Sequence, residues 1–307
     1  MEKLVRLFSC TPSRLTTWVD CPRRYRMTYV DRPRPKGGPP WAHNSLGASV
    51  HSALAGWWRL PRERRTVGVV GGLLDGSWSA DGFQDAAQSD RWRSRAAVMV
   101  ANYVRTLDPD REPVGVERTV GARTGRLALS GRIDRLDDRA VQGSRDATDG
   151  GGGPSSASSE LVVVDYKAGR RPPTADDARG SLALALYAIA AAATLRRPCR
   201  RVELHHLPTG VVQAFDHTDE SLRRHLRRAE QIADDATAAG AAIHATASDA
   251  AAAVGATADP FPPRPGAQCG WCDLRAHCPE GMATGPARLP WAALGEFEVG
   301  PATAASA

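Results

Sequence analysis

Leu129-Ser130-Gly131-Arg132-Ile133-Asp134 and Leu161-Val162-Val163-Val164-Asp165-Tyr166-Lys167 are two apolar runs that each close on an aspartate. Short runs of this kind, rich in β-branched residues and bounded by charge, read as strands. An Asp ending one strand and an Asp-x-Lys on its neighbour can converge on a divalent cation, with the lysine ammonium beside any phosphate that the cation holds. Lys3, Lys36 and Lys167 are the only lysines in a chain whose Lys+Arg total is 40, so arginine is its default cation. A lysine kept at position 167 points to a compact charge where a planar guanidinium would not serve.

Outward from these strands, the chain of 307 residues, 42% hydrophobic, has room for a substantial core. A net charge of +6 permits a polyanionic partner without requiring one. Leu4 to Phe8 is too short for a signal peptide, and Leu182 to Ala193 has the length of a core helix rather than a membrane span. The expected location is the cytoplasm. Helical spacing of Leu15, Trp18, Val19, Tyr25 and Tyr29 predicts one helix from Thr11 through Val30, with Cys21 inside it, ended by a Pro/Gly-rich connector over 33–40. Further helices are expected over Leu46–Trp58 and Arg91–Leu107, with a weakly patterned 67–90 between them. Strands are expected over Val114–Val120, Arg126–Leu136 and Leu161–Tyr166, and a Gly/Ser-rich insertion over 143–159. Then come a buried helix at Leu182–Leu195, a hairpin about Thr209-Gly210, an arginine-studded helix over Glu220–Ala239, and a Pro-rich approach to Cys269.

Cys269-x2-Cys272-x5-Cys278 has metal-ligand spacing in a chain read as cytoplasmic, and Cys21 has the best setting for a fourth ligand. Cys10 and Cys199 lack partners at ligand spacing and read as small buried thiols. Four thiolates can hold tetrahedral Zn²⁺ or a cubane cluster, and spacing alone does not decide between them.

Taken together, these residues resemble the RecB-like exonuclease branch of the PD-(D/E)XK nuclease superfamily, in the form that carries a four-cysteine iron–sulfur cluster, as in the nuclease part of AddB and the RecB-like CRISPR-associated exonucleases. The likeness runs from Ser9 to Gly281. The family's histidine motif matches Gly47-Ala48-Ser49-Val50-His51, its first acidic motif Gly131-Arg132-Ile133-Asp134-Arg135, its Asp-x-Lys motif Asp165-Tyr166-Lys167, and its late tyrosine motif Tyr187. Ala183 stands where the family usually has a glutamine four residues before the tyrosine, and Ala55 where an acidic residue often follows the histidine motif.

The resemblance implies an α/β fold, a restriction-endonuclease-like mixed sheet flanked by helices. It implies a single nuclease domain over 9–281, with segments 14–30 and 260–281 joined at the cysteines, followed by a tail over 282–307. It also implies a metal-dependent deoxyribonuclease of DNA repair or recombination, acting on single-stranded ends or flaps. Asp134, Asp165, His51 and the Tyr166 carbonyl would hold Mg²⁺ or Mn²⁺, Lys167 would stabilise the transition state, and Tyr187 would position the lysine or the DNA. Cys21, Cys269, Cys272 and Cys278 would hold [4Fe–4S], with structural Zn²⁺ the alternative. Arginines 23, 24, 26, 32 and 34, next to Trp18 and Tyr25, would track DNA, whereas those from Arg223 to Arg228 read as a solvated helix face. No Gly-x4-Gly-Lys-Ser/Thr loop occurs, so any helicase is a separate partner. The competing expectation is a DNA-binding, cluster-bearing scaffold that cleaves weakly or not at all.

Overall fold

A computed structural model describes residues 7–140, 159–248 and 259–295. The expected insertion over 143–159 therefore lies, but for its last residue, outside the described residues, as does the end of the tail.

The centre is a six-stranded mixed sheet of β1 (Phe8–Cys10), β2 (Gly115–Arg123), β3 (Leu127–Ala140), β4 (Ser159–Lys167), β5 (Cys199–His206) and β6 (Val211–Asp216). Its order is β1-β3-β4-β5-β6, with β2 on β3. β4 is apolar at every position from Leu161 to Val164 because both of its faces are covered. Leu161 and Val163 enter a core with α1 (Pro12–Asp20), α2 (Pro22–Tyr29), α7 (Leu182–Leu195) and α8 (Asp219–Ser248). Val162, Val164 and Tyr166 enter a second core with α3 (Ala42–Trp58), α4 (Val67–Ser77) and α5 (Ala86–Arg105). A short α6 (Ala175–Gly180), closed by a Thr174/Asp177 capping box, precedes α7. This is the α/β architecture expected from the sequence, in the restriction-endonuclease-like form.

Three local expectations are corrected. The helix predicted through Val30 is two helices, and Cys21 lies in the break with extended backbone (φ −165°, ψ 111°). Pro22 is the cause, since a residue before proline is pushed out of the helical region. The weakly patterned 67–90 contains α4, whose glycines hide its periodicity but whose Val70 and Leu74 are fully buried. The region after Gly281 is not all tail, because Leu294 is buried in the second core and the Ala42 amide donates to the Pro290 carbonyl.

The strand pairing makes a fork. β3 and β4 exchange partners from Ala140↔Ser159 to Arg135↔Val164 and no further, after which β4 continues alongside β5 through Lys167↔His206. Upstream, the same edge of β3 is taken by β1 at Leu127–Leu129. Asp134 and the end of β4 flank this gap.

Candidate active site

At the fork, the Tyr166 amide, which has run past its ladder partners on β3, donates to Asp134 Oδ2 at 2.9 Å. α3 lays His51 across the opening. Its Nδ1 is 3.3 Å from Asp134 Oδ1, and its Nε2 is 3.2 Å from the Tyr166 carbonyl oxygen. Both partners are acceptors, so the ring satisfies both only as an imidazolium, which must shed a proton before one of its nitrogens can bind a cation. Burial works against that charge, but the hydrogen bond and charge of Asp134, with Asp165 and Glu117 behind, outweigh it and raise the His51 pKa.

Lys167 Nζ stands 2.5 Å from Asp165 Oδ2, an atom that is shut off from solvent and faces that ammonium. Burial pushes the Asp165 pKa up, and repulsion from Asp134 adds to this. The Lys167 charge opposes both without reversing the direction. The fork thus crowds carboxylates, a backbone oxygen and an imidazole together, with the Lys167 ammonium paired to one of the carboxylates. This donor set suits a divalent cation of the Mg²⁺/Mn²⁺ class.

Tyr187, on α7, sets one edge of its ring against Gly131, where any Cβ would overlap it. Burial first, then the charges of Asp165 and Asp134, raise its pKa, which places the phenol within reach of their field. Ala183 is one turn before it on the same helix. All the residues singled out for the centre, His51, Asp134, Asp165, Tyr166, Lys167 and Tyr187, therefore meet at one end of β4. Beside them opens a largely apolar cavity of about 300 Å³, with His43, Trp92, Arg95, Met99, Lys167 and Leu294 in its wall.

Sequence reasoning missed Glu117 on β2. A carboxylate oxygen of Glu117, one of Asp134 and a ring nitrogen of His51 lie within 4.8 Å of one another. In Val-Glu-Arg-Thr-Val the glutamate reads as a charge on the outer face of a strand. The backbone says otherwise, since Glu117 has φ 48°. At this point β2 changes face: Val116 packs on the α3–α5 side and Val120 on the other. β3 skips a beat opposite, with Ile133 in one core and Arg135 turned over Trp58 and Tyr166 in the other.

Away from the fork, Cys21, Cys269, Cys272 and Cys278 line one small cavity of about 60 Å³, together with Arg23, Arg24, Arg264 and Arg275. Among the described residues no three cysteine sulfurs lie within 4.8 Å of one another. Burial raises the Cys272 and Cys278 thiols above their usual range. Cys10 and Cys199 are buried in the main core, where burial pushes their thiols up to about 11 and about 12. The DNA-tracking role expected of the first arginine cluster meets a different arrangement. Arg23 pairs with Asp259 and Glu280, Arg24 with Asp273 and Arg26 with Asp31. Trp18 and Tyr25 are buried against Phe261, so the aromatic platform expected beside those arginines is internal packing. On α8, Arg223 and Arg227 both pair with Glu220, in keeping with a solvated face.

Among the described residues no helix is long and apolar enough to cross a membrane. A family model described as the PD-(D/E)XK nuclease superfamily matches residues 9–279. A comparison with curated proteins finds no match.

Proposed function

Because the chain belongs to the PD-(D/E)XK nuclease superfamily, we propose that it is a Mg²⁺- or Mn²⁺-dependent deoxyribonuclease of the RecB-like branch, an exonuclease that trims single-stranded ends or flaps in DNA repair or recombination. The observation that carries this reading is the convergence of Asp134, Asp165, Lys167 and His51 at the open fork between β3 and β4.

Asp134, Asp165, His51 and the Tyr166 carbonyl hold the cation, whose charge offsets that developing on the phosphate. Lys167 orients the attacking water and stabilises the negative charge on the non-bridging oxygens in the transition state. Its freedom to do so rests on exposure, since the side chain is 47% accessible while its partner Asp165 is largely enclosed. Tyr187 keeps the β3 backbone at Gly131 in place and so positions Asp134, which lies inside that strand. The apolar cavity next to Lys167, with Trp92 and Arg95 in its wall, suits an unstacked base, and this favours a single-stranded substrate.

The cysteine cavity belongs to the same reading as a [4Fe–4S] site. Its four thiols line one cavity, and the four arginines around it suit the negative charge of a thiolate-ligated cluster. Such a staple ties α2 to residues 261–282.

Cleavage of end-labelled single- and double-stranded DNA with Mg²⁺ or Mn²⁺ tests the reading. Wild type is expected to shorten the single strand from an end, and Asp165→Ala to leave it intact. DNA bound but uncut by wild type under every metal would establish the scaffold instead.

A further inference from the structure

We propose that Glu117 is a further ligand of the fork cation and that Arg132 is its counter-ion when no cation is held. The inference rests on the reading of the fork as a cation site.

Register is the first argument. Val116 pairs with Arg135 and Arg118 with Ile133, so Glu117 stands directly across from Asp134. Like charges at opposed positions of neighbouring strands repel. The pair nevertheless lies in a half-enclosed place, with the Glu117 side chain 11% exposed and that of Asp134 17%.

Distance is the second. Bonds of about 2.1–2.5 Å keep two ligands of one divalent cation within roughly 5 Å of each other, even on opposite sides. The donor atoms of His51, Glu117 and Asp134 already meet that limit. Asp165, whose Oδ2 faces the Lys167 ammonium at 2.5 Å, is close enough to Asp134 and His51 to feel their charges, so a third carboxylate borders the same point.

Backbone is the third. Glu117 occupies the left-handed region, which costs a residue with a Cβ and which glycine or asparagine would occupy more readily. A glutamate there aims a carboxylate at a point that an ordinary pleat would turn away. Its ion-pair partner, Arg132, comes from β3 two residues before Asp134 and is 68% exposed. An ion so open to water is weakly held and easily displaced. A cation entering the fork would take the Glu117 carboxylate and release the Arg132 guanidinium to the surface beside the site.

The test is Mn²⁺ binding alone, by calorimetry or by loss of the free-ion paramagnetic resonance signal, on the full chain and three variants. Asp134→Asn is expected to lose binding, which checks the parent reading. Glu117→Gln is expected to weaken binding about tenfold or more, and Arg132→Ala to strengthen it several-fold by removing a competitor. Thermal unfolding without Mn²⁺ is expected to leave Glu117→Gln at least as stable as wild type, because a repelled carboxylate is gone. If Glu117→Gln folds poorly, Glu117→Asn, which tolerates the left-handed backbone, takes its place. Wild-type affinity in the Glu117 variant, or weaker binding in Arg132→Ala, would overturn the inference in favour of a structural ion pair. Undiminished binding by Asp134→Asn would overturn the parent reading as well.

Discussion

Asp134 accepts the backbone N–H of Tyr166 at 2.9 Å, so a side chain replaces the ladder hydrogen bond that β3 no longer supplies at that position. The same carboxylate faces His51 through its other oxygen. Catalytic and structural demands therefore fall on one group, and two substitutions separate them. Asp134→Ala orphans the amide and is expected to cost about 1–3 kcal/mol in urea unfolding. Asp134→Asn keeps an acceptor and should cost less. Both should abolish cleavage.

Lys167→Ala removes the ammonium beside Asp165 Oδ2. Its cleavage rate should fall by about two to three orders of magnitude, the scale of one preorganised charge, with far less change in DNA affinity. Lys167→Arg should remain poor, because a guanidinium is bulkier and spreads its charge. Single-turnover rates and binding isotherms check both statements, and equal rates for wild type and Lys167→Ala would sink the role.

Gly131 is required by contact rather than by backbone angle. A Cβ at this position overlaps the Tyr187 ring, so Gly131→Ala should destabilise by about 1–3 kcal/mol and disturb cleavage. Adding Tyr187→Ala should restore part of the stability without restoring activity. Strictly additive losses in that double-mutant cycle would contradict the contact.

Stability should fall with acid below neutrality through His217. Its ring is 2% exposed, bonds Ser221 through Nδ1 and has no partner at Nε2. Burial, helped by neighbouring His225, lowers its pKa from 6.5 to about 4. Between those values the unfolded chain takes up a proton that the folded chain refuses, so stability declines as pH drops from 6.5 toward 4 and levels off below. The loss between pH 7 and 5 is about 2 kcal/mol. His217→Leu should lose correspondingly less between the same two urea titrations.

Anaerobically purified protein should be brown, and Cys21→Ala colourless and more readily proteolysed. A colourless wild type carrying one zinc per chain would decide for the zinc alternative.

Asp165 and Lys167 were legible because charge closes an apolar run there, whereas Asp134, read as a strand end, lies inside β3, and His51 was marked by its place in the histidine motif rather than by local pattern. Glu117 was not legible, since its role depends on a left-handed φ and a cross-strand register that local composition does not encode. Cys21 was misplaced although Pro22 carried the signal, because the apolar spacing continued across the break. The docking of Leu294 was hidden for another reason: one buried side chain in an irregular segment has no period to detect.

The contact of Phe261 with Trp18 and Tyr25, and of Leu274 with Met27, has a consequence for biosynthesis. The helices α1 and α2 leave the ribosome long before the segment that covers them, residues 261–278, is made. Through most of translation this corner exposes two aromatics and a methionine, and it can close only when residues 261–278 arrive. A chain stalled before Phe261 would already contain every strand of the sheet and all the residues of the fork, but would still present that sticky corner to chaperones and proteases.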